Sequence, residues 1–298
     1  MAGLRQLVVV ADDFGIGPET DRGILELAKL GRITGTVLLV NSPFAEAAVA
    51  AWNHAGRPVE LGWHPVITLD KPLLPPDQVP GLVDSTGQFH PLGRFLRKSL
   101  LGRINGHEVF AELTAQYERF LALVGEPPKL VNSHQHASLF SPVGRALDEV
   151  LIRAGRRPFV RRVREPWAAL AKVPGARIKR AVLNGRGRRQ ARRLDSEGFP
   201  GCDWLAGITD PACVANPAFH RRWLFVMPGQ SVELMCHPGH LDSTLIGRDA
   251  PAEDGNLWRR VHELEALQSD DFLAVVRDAG FELTPPSRIG RPPLRIAA

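Results

Sequence analysis

Three cysteines in 298 residues, Cys202, Cys213 and Cys236, are too few and too oddly spaced for a disulfide framework or a zinc knuckle. They read as free thiols in a reducing compartment. No apolar run approaches the roughly 18 residues that a membrane span needs. The apolar start, Leu7-Val8-Val9-Val10, is too short for a signal-peptide core and has no cleavage site after it, so a cytoplasmic location is expected. Internal repeats and linker-like stretches are also missing, which points to a single domain. Acidic residues are scarce between Arg153 and Arg193, where Glu165 alone stands among the arginines and lysines. That stretch reads first as a solvated arginine-rich surface. Its alternatives are a face for nucleic acid, anionic lipid or a phosphorylated ligand. No nucleic-acid partner is expected, and peripheral membrane contact stays open.

What is present is an alternation of apolar runs and helical spacing. Residues 7–11 form a run suited to a strand buried on both faces. Residues 18–30 have helical periodicity, with Gly31 as the stop. Residues 37–40 predict a second strand, 44–54 a helix and 59–64 a third strand. Segment 70–106 breaks the rhythm: it is rich in Pro and Gly and holds a short amphipathic helix, the form of an insertion or lid. Helices are predicted at 107–124 and 142–155, strands at 130–133, 159–161 and 231–237, and closing helices at 258–268 and 270–279. The tail, 284–298, is expected to be irregular. Strands alternating with helices imply an α/β fold with a parallel sheet or barrel.

Several of these strands end in groups that can bind metal or move protons. The first ends at Asp12-Asp13, the third at His64, the fourth at His134 and His136, and the late strand at His237. In a parallel barrel the C-terminal strand ends converge on one face, where catalytic groups gather. One such residue is commonly a helix cap or a core histidine. Four such strand ends are hard to explain that way. Adjacent acids also repel, so at least one of the pair needs an offsetting charge.

These residues carry a resemblance. Ala11-Asp12-Asp13-Phe14-Gly15, Gly62-Trp63-His64, Asn132-Ser133-His134-Gln135-His136 and Met235-Cys236-His237-Pro238-Gly239 occur in that order. Together they resemble the YdjC-like carbohydrate deacetylases, over about residues 5–283. That family includes diacetylchitobiose deacetylases and deacetylases associated with hopanoid biosynthesis. The resemblance implies a distorted (β/α) barrel of the glycoside hydrolase/deacetylase type and hydrolysis of an N-acetyl group on an amino sugar. It implies one divalent metal, Mg²⁺ or Zn²⁺, held by Asp13, His64 and His134. Asp12 is then the expected general base, His237 the general acid, and Arg161 and His136 the substrate-binding residues. The expected partner is a small N-acetylated sugar, soluble or lipid-linked. Two positions depart from the family pattern: Asn132 stands where Asp is common, and Ser138 where a His is common. Two readings compete with the deacetylase: a metal-dependent phosphoesterase, and a non-catalytic protein that binds sugar or anionic lipid.

Overall fold

The computed structural model describes residues 4–248 and 255–290. Its central strand is β1 (Arg5–Phe14), and the residues from Leu7 to Ala11 are fully buried. The reason is that β1 is paired along both edges. One edge takes β7 (Ser231–Cys236). The other takes β8 (Phe281–Leu283) at its start and β2 (Gly35–Leu38) at its end. Beyond β2 lie β3 (Glu60–Trp63), β4 (Leu130–Val131) and β5 (Phe159–Val160). Beyond β7 lies β6 (Trp204–Ala206). The order is β5-β4-β3-β2-β1-β7-β6, with every pairing parallel.

The sheet curls until its two edges meet. Val160 N donates to Pro200 O at 2.8 Å, and Leu205 N donates to Arg164 O at 2.9 Å. The result is an α/β fold of one domain: a curled parallel sheet forming a distorted barrel, closed on one side by irregular chain instead of a strand ladder. Helices α1 (Pro18–Lys29), α2 (Ala45–His54), α4 (Gly106–Val124) and α5 (Val143–Arg153) follow their strands as the periodicity predicts. Gly125, at φ 79°, ends α4 in the left-handed conformation that glycine adopts most easily.

Several boundaries differ from expectation. Strand β1 runs on through both acids to Phe14. The second strand lies at 35–38 rather than 37–40, because its ladders to β1 and β3 begin at Gly35. The predicted insertion contains α3 (Leu92–Leu100), and Phe95 is buried. Leu73 N and Leu74 N donate to the buried Glu112 of α4 at 3.0 and 3.1 Å, tying the start of this segment to the body.

The arginine-rich stretch proves to be mainly helical, with α6 (Trp167–Lys172) and the long α7 (Arg177–Ser196). Arginines on several faces of α7 hide its apolar spacing. A solvated surface is not the full description of this stretch either. Arg161, Arg162 and Arg180 are buried, and Arg180 pairs with Glu165 at 2.7 Å. A Cβ at Gly187 would lie 1.5 Å from Val163 O, so close packing of α7 on the barrel requires glycine there. Strands β6 and β8 and the short helices α8 (Pro211–Val214) and α9 (Phe219–Leu224) were not anticipated.

The closing helices are α10 (Gly255–Gln268) and α11 (Asp270–Asp278). Of the tail expected to be irregular, Pro286–Arg288 form one 3-10 turn and Thr284 N donates to Leu7 O at 2.9 Å. Residues 291–298 lie outside the described residues. No helix among the described residues is long and apolar enough to cross a membrane.

Candidate active site

Adjacent residues on a regular strand point to opposite faces. Asp12 and Asp13 nevertheless line the same cavity. The register between β1 and β2 slips between Ala11 and Phe14, and Asp13 sits at φ 66°. This bulge turns both carboxylates toward the C-terminal mouth of the barrel. Left-handed backbone is costly for most side chains, but Asp tolerates it better than most. Asp21 Oδ1 accepts from Gly15 N at 2.5 Å and steadies the turn that follows.

Three predicted ligands come together here. Asp13 Oδ1 lies 3.2 Å from His64 Nε2 and 3.0 Å from His134 Nδ1. Ligand atoms of Asp13, His64 and His134 all fall within 4.8 Å of one another, and all three residues are buried. The tautomer of His64 is fixed by its surroundings. Its Nδ1 lies 2.7 Å from the carbonyl oxygen of Asn132, so Nδ1 carries a proton and donates it. A neutral His64 therefore turns the Nε2 lone pair toward a carboxylate oxygen. Two acceptors at that distance repel unless a cation sits with them. A carboxylate and two imidazoles suit a divalent transition metal, and the carbonyl behind His64 is the orienting partner such ligands normally have. The residues present fit a metal ion.

Asp13 is strongly acidic. Burial pushes its carboxyl up, but Arg260 and the neighbouring His134 outweigh burial and hold it well below the usual carboxylate range. Arg260 Nη2 donates to Asp13 Oδ2 at 2.7 Å. Arg260 lies outside every motif read from the sequence. Nothing in the spacing of α10 marks it, apart from the need for a charge to offset paired acids.

Asp12 has a separate counter-ion. Arg161 grips it with two bonds, Nη1 to Oδ2 at 2.6 Å and Nη2 to Oδ1 at 2.8 Å. Arg161 Nε donates to Glu233 Oε1 at 2.6 Å. Desolvation lowers the Arg161 pKa, but Asp12 and Glu233 more than reverse this, so the guanidinium stays charged. In the same way burial raises the Glu233 carboxyl against the pull of Arg161. Asn132 Nδ2 donates to Asp12 Oδ1 at 3.2 Å. An Asp at 132 would place another carboxylate there, so Asn at this position adds a donor instead of a repulsion. Arg161 is thus brought to Asp12.

His237 follows β7, with Nε2 3.9 Å from Asp12 Oδ2. Desolvation and then Arg259 depress its pKa well below the ordinary histidine value, so the resting imidazole is neutral. Glu263 accepts from His237 N and pairs with Arg259 at 2.9 Å. His134 and His136 do not share a strand face, because they lie in a 3-10 segment (His134–Leu139). Gln135 and His136 are both left-handed there, at φ 51° and 55°. His136 lines the cavity, and burial followed by Arg161 and Lys179 keeps it neutral. Ser138 joins a hydroxyl chain, 2.8 Å from Ser133 Oγ and 3.1 Å from Gln190 Nε2 of α7.

The cavity holds about 530 Å³. Its floor is polar. Its walls are apolar, with Leu92 and Leu96 from α3 facing Val182 and Leu183 from α7, and Lys179 and Arg259 add positive charge. The 70–106 segment and the arginine-rich stretch therefore both border this site.

The chain is 30% identical over 286 residues to a chitooligosaccharide deacetylase of Klebsiella pneumoniae (strain 342), covering 94% of this chain and 97% of that protein. A protein of the same name from Escherichia fergusonii is 27% identical, with 94% and 97% covered. Among solved structures, an Enterococcus faecalis V583 protein described as a candidate cellobiose-phosphate cleavage protein has the same fold. Its TM-score is 0.75 at 24% identity, with 95% of this chain and 98% of that chain covered. The model of the YdjC-like proteins matches residues 6–278, and the chain belongs to that family.

Proposed function

We propose that this protein is a metal-dependent carbohydrate deacetylase that hydrolyses the N-acetyl group of an amino sugar. One observation carries the reading: the buried Asp13, His64 and His134 cluster stands beside a separately held carboxylate, Asp12, on the floor of a sugar-sized cavity. The full-length likeness to chitooligosaccharide deacetylases supports an N-acetylated chito-oligosaccharide as substrate.

Asp13, His64 and His134 would hold the ion. When bound, a divalent metal supplies Lewis acidity toward water and the acetyl carbonyl. The ligand set leans toward Zn²⁺, Co²⁺ or Fe²⁺ on softness, while Mg²⁺ suits the carboxylate. The protein's own groups then handle the proton. Asp12, fixed by Arg161 and Asn132, takes it from the attacking water. His237 starts neutral and stands 3.9 Å from Asp12, so it can receive that proton and pass it to the departing amine. His136 presents a neutral ring to the sugar. Arg161 holds Asp12 and so acts on substrate through it.

The competing readings fit less well. A phosphoesterase would use a second metal or an arginine cluster aimed at phosphate. Among the described residues one candidate metal cluster is found, and Arg161 and Arg260 are already paired with carboxylates. A non-catalytic binding protein would have no use for an intact ligand set with a base beside it. The apolar walls also suit a lipid-linked glycoside, whose aglycone would lie between α3 and α7. A panel of soluble chito-oligosaccharides and lipid-linked N-acetylglucosaminides, assayed for acetate with and without added metals, tests the whole reading. Metal-dependent acetate release supports it. No release from any member of the panel overturns it. Equal turnover of both classes without liposome binding removes the lipid-linked preference.

A further inference from the structure

The two oxygens of Asp13 have different surroundings. Oδ1 faces both imidazoles, and Oδ2 accepts from Arg260 Nη2. A guanidinium beside a metal ligand is unusual in electrostatic terms, because it repels the ion that the ligand attracts. Arg260 is buried, so water screens that repulsion poorly.

The guanidinium is also built in rigidly. It stands on α10, and the Arg260 carbonyl accepts from Gly239 N at 3.1 Å in the loop after β7. One turn further on, Glu263 holds the His237 backbone. Moving Arg260 away from Asp13 would disturb the loop that carries His237.

We propose that Arg260 is a positioning residue of the metal centre. It reserves Asp13 Oδ2, so that the carboxylate offers the ion Oδ1 alone. Its positive charge also lowers metal affinity and leaves the bound ion more electron-poor. This rests on Asp13 being a metal ligand.

The test compares wild type with Arg260→Met and Arg260→Lys loaded with Co²⁺. Affinity is read by chelator competition and coordination by the visible d–d band, with folding checked by circular dichroism. Outer-sphere partners commonly shift metal affinity about 10–100-fold. Here the direction is inverted: Arg260→Met binds Co²⁺ about tenfold more tightly, near the lower end of that range. Its band weakens as Oδ2 joins the coordination sphere. Arg260→Lys keeps a charge and a donor and stays close to wild type. Unchanged or weaker Co²⁺ binding by folded Arg260→Met overturns the proposal. If that variant does not fold, Arg260→Gln replaces it, keeping a donor without the charge. Tighter binding with an unaltered band is then expected, and unchanged or weaker binding overturns the idea. A wild type that binds no Co²⁺ overturns this proposal and the metal-centre reading together. Binding that is equal in all variants overturns this proposal alone.

Discussion

Asp12 and Asp13 are neighbours in the chain but sit in two different half-sites. The Asp12 half is an ion network: a two-pronged Arg161 grip, Glu233 behind the arginine, and Asn132 and His237 alongside. The Asp13 half has two imidazoles at one oxygen and a single guanidinium bond at the other. A strand bulge places both acids at one cavity, and separate arginines make them unlike. Two like charges in contact would ordinarily share a proton. Each acid has its own cation to offset its charge, and this is what would allow one to bind metal while the other accepts a proton.

The largest expected effect separates the halves directly. Asp12→Asn should retain one metal per chain and lose acetate release by about 10²–10⁴-fold, the usual contribution of an acid–base group. Metal analysis beside a rate assay checks this, and retained activity would remove Asp12 as the base. Next comes stability. Arg161→Met strands two buried carboxylates and should cost roughly 3–5 kcal/mol in denaturant unfolding, the scale for breaking a buried ion pair. Arg260→Met removes a cation from Asp13, which keeps two imidazoles beside it, and should cost less. Equal costs would mean that the two arginines are not distinguished in the way the geometry indicates.

A smaller effect lies outside both half-sites and serves as their control. His220 on α9 packs between Phe219 and Phe272, and burial lowers its pKa to about 4. The unfolded chain binds a proton near pH 6.5, but the folded chain resists until about pH 4. Stability from this group is therefore full above pH 6.5 and is lost as pH falls toward 4, by up to about 3 kcal/mol. His220→Phe should flatten that part of the unfolding profile and leave metal binding untouched. A profile of the same slope in the variant would contradict the assignment.

Much of the first half of the fold was legible because apolar runs there give way to polar residues near the strand ends. Val8-Val9-Val10 must be buried on both faces, and Asp12, His64 and His134 mark the strand ends that converge. Residues 161–226 were harder to read. Arg180, Arg186, Arg188 and Arg193 occupy several faces of α7, and the apolar stripe of Leu183, Ala191 and Leu194 is interrupted by Gly187 and polar Gln190. Short strands such as β6, with three residues, carry little periodic signal. Within the site, the clustering of Asp13, His64 and His134 beside Asp12 was readable from strand ends and family resemblance. Arg260 and Glu263 were not, because a helix residue reaching into a site leaves no local pattern. The requirement for charge compensation was visible, but not the identity of the residue that meets it. The turn at Gln135 and His136 was also hidden, since neither residue is one that usually announces left-handed backbone.

The most direct test is a metal titration of metal-free protein with acetate release from an N-acetylated chito-oligosaccharide measured at each point. The account predicts negligible release without metal and release that rises with occupancy to one ion per chain. Asp13→Asn should lose that response because it loses the ion. Full acetate release from metal-free protein, or a wild-type response in Asp13→Asn, would contradict it.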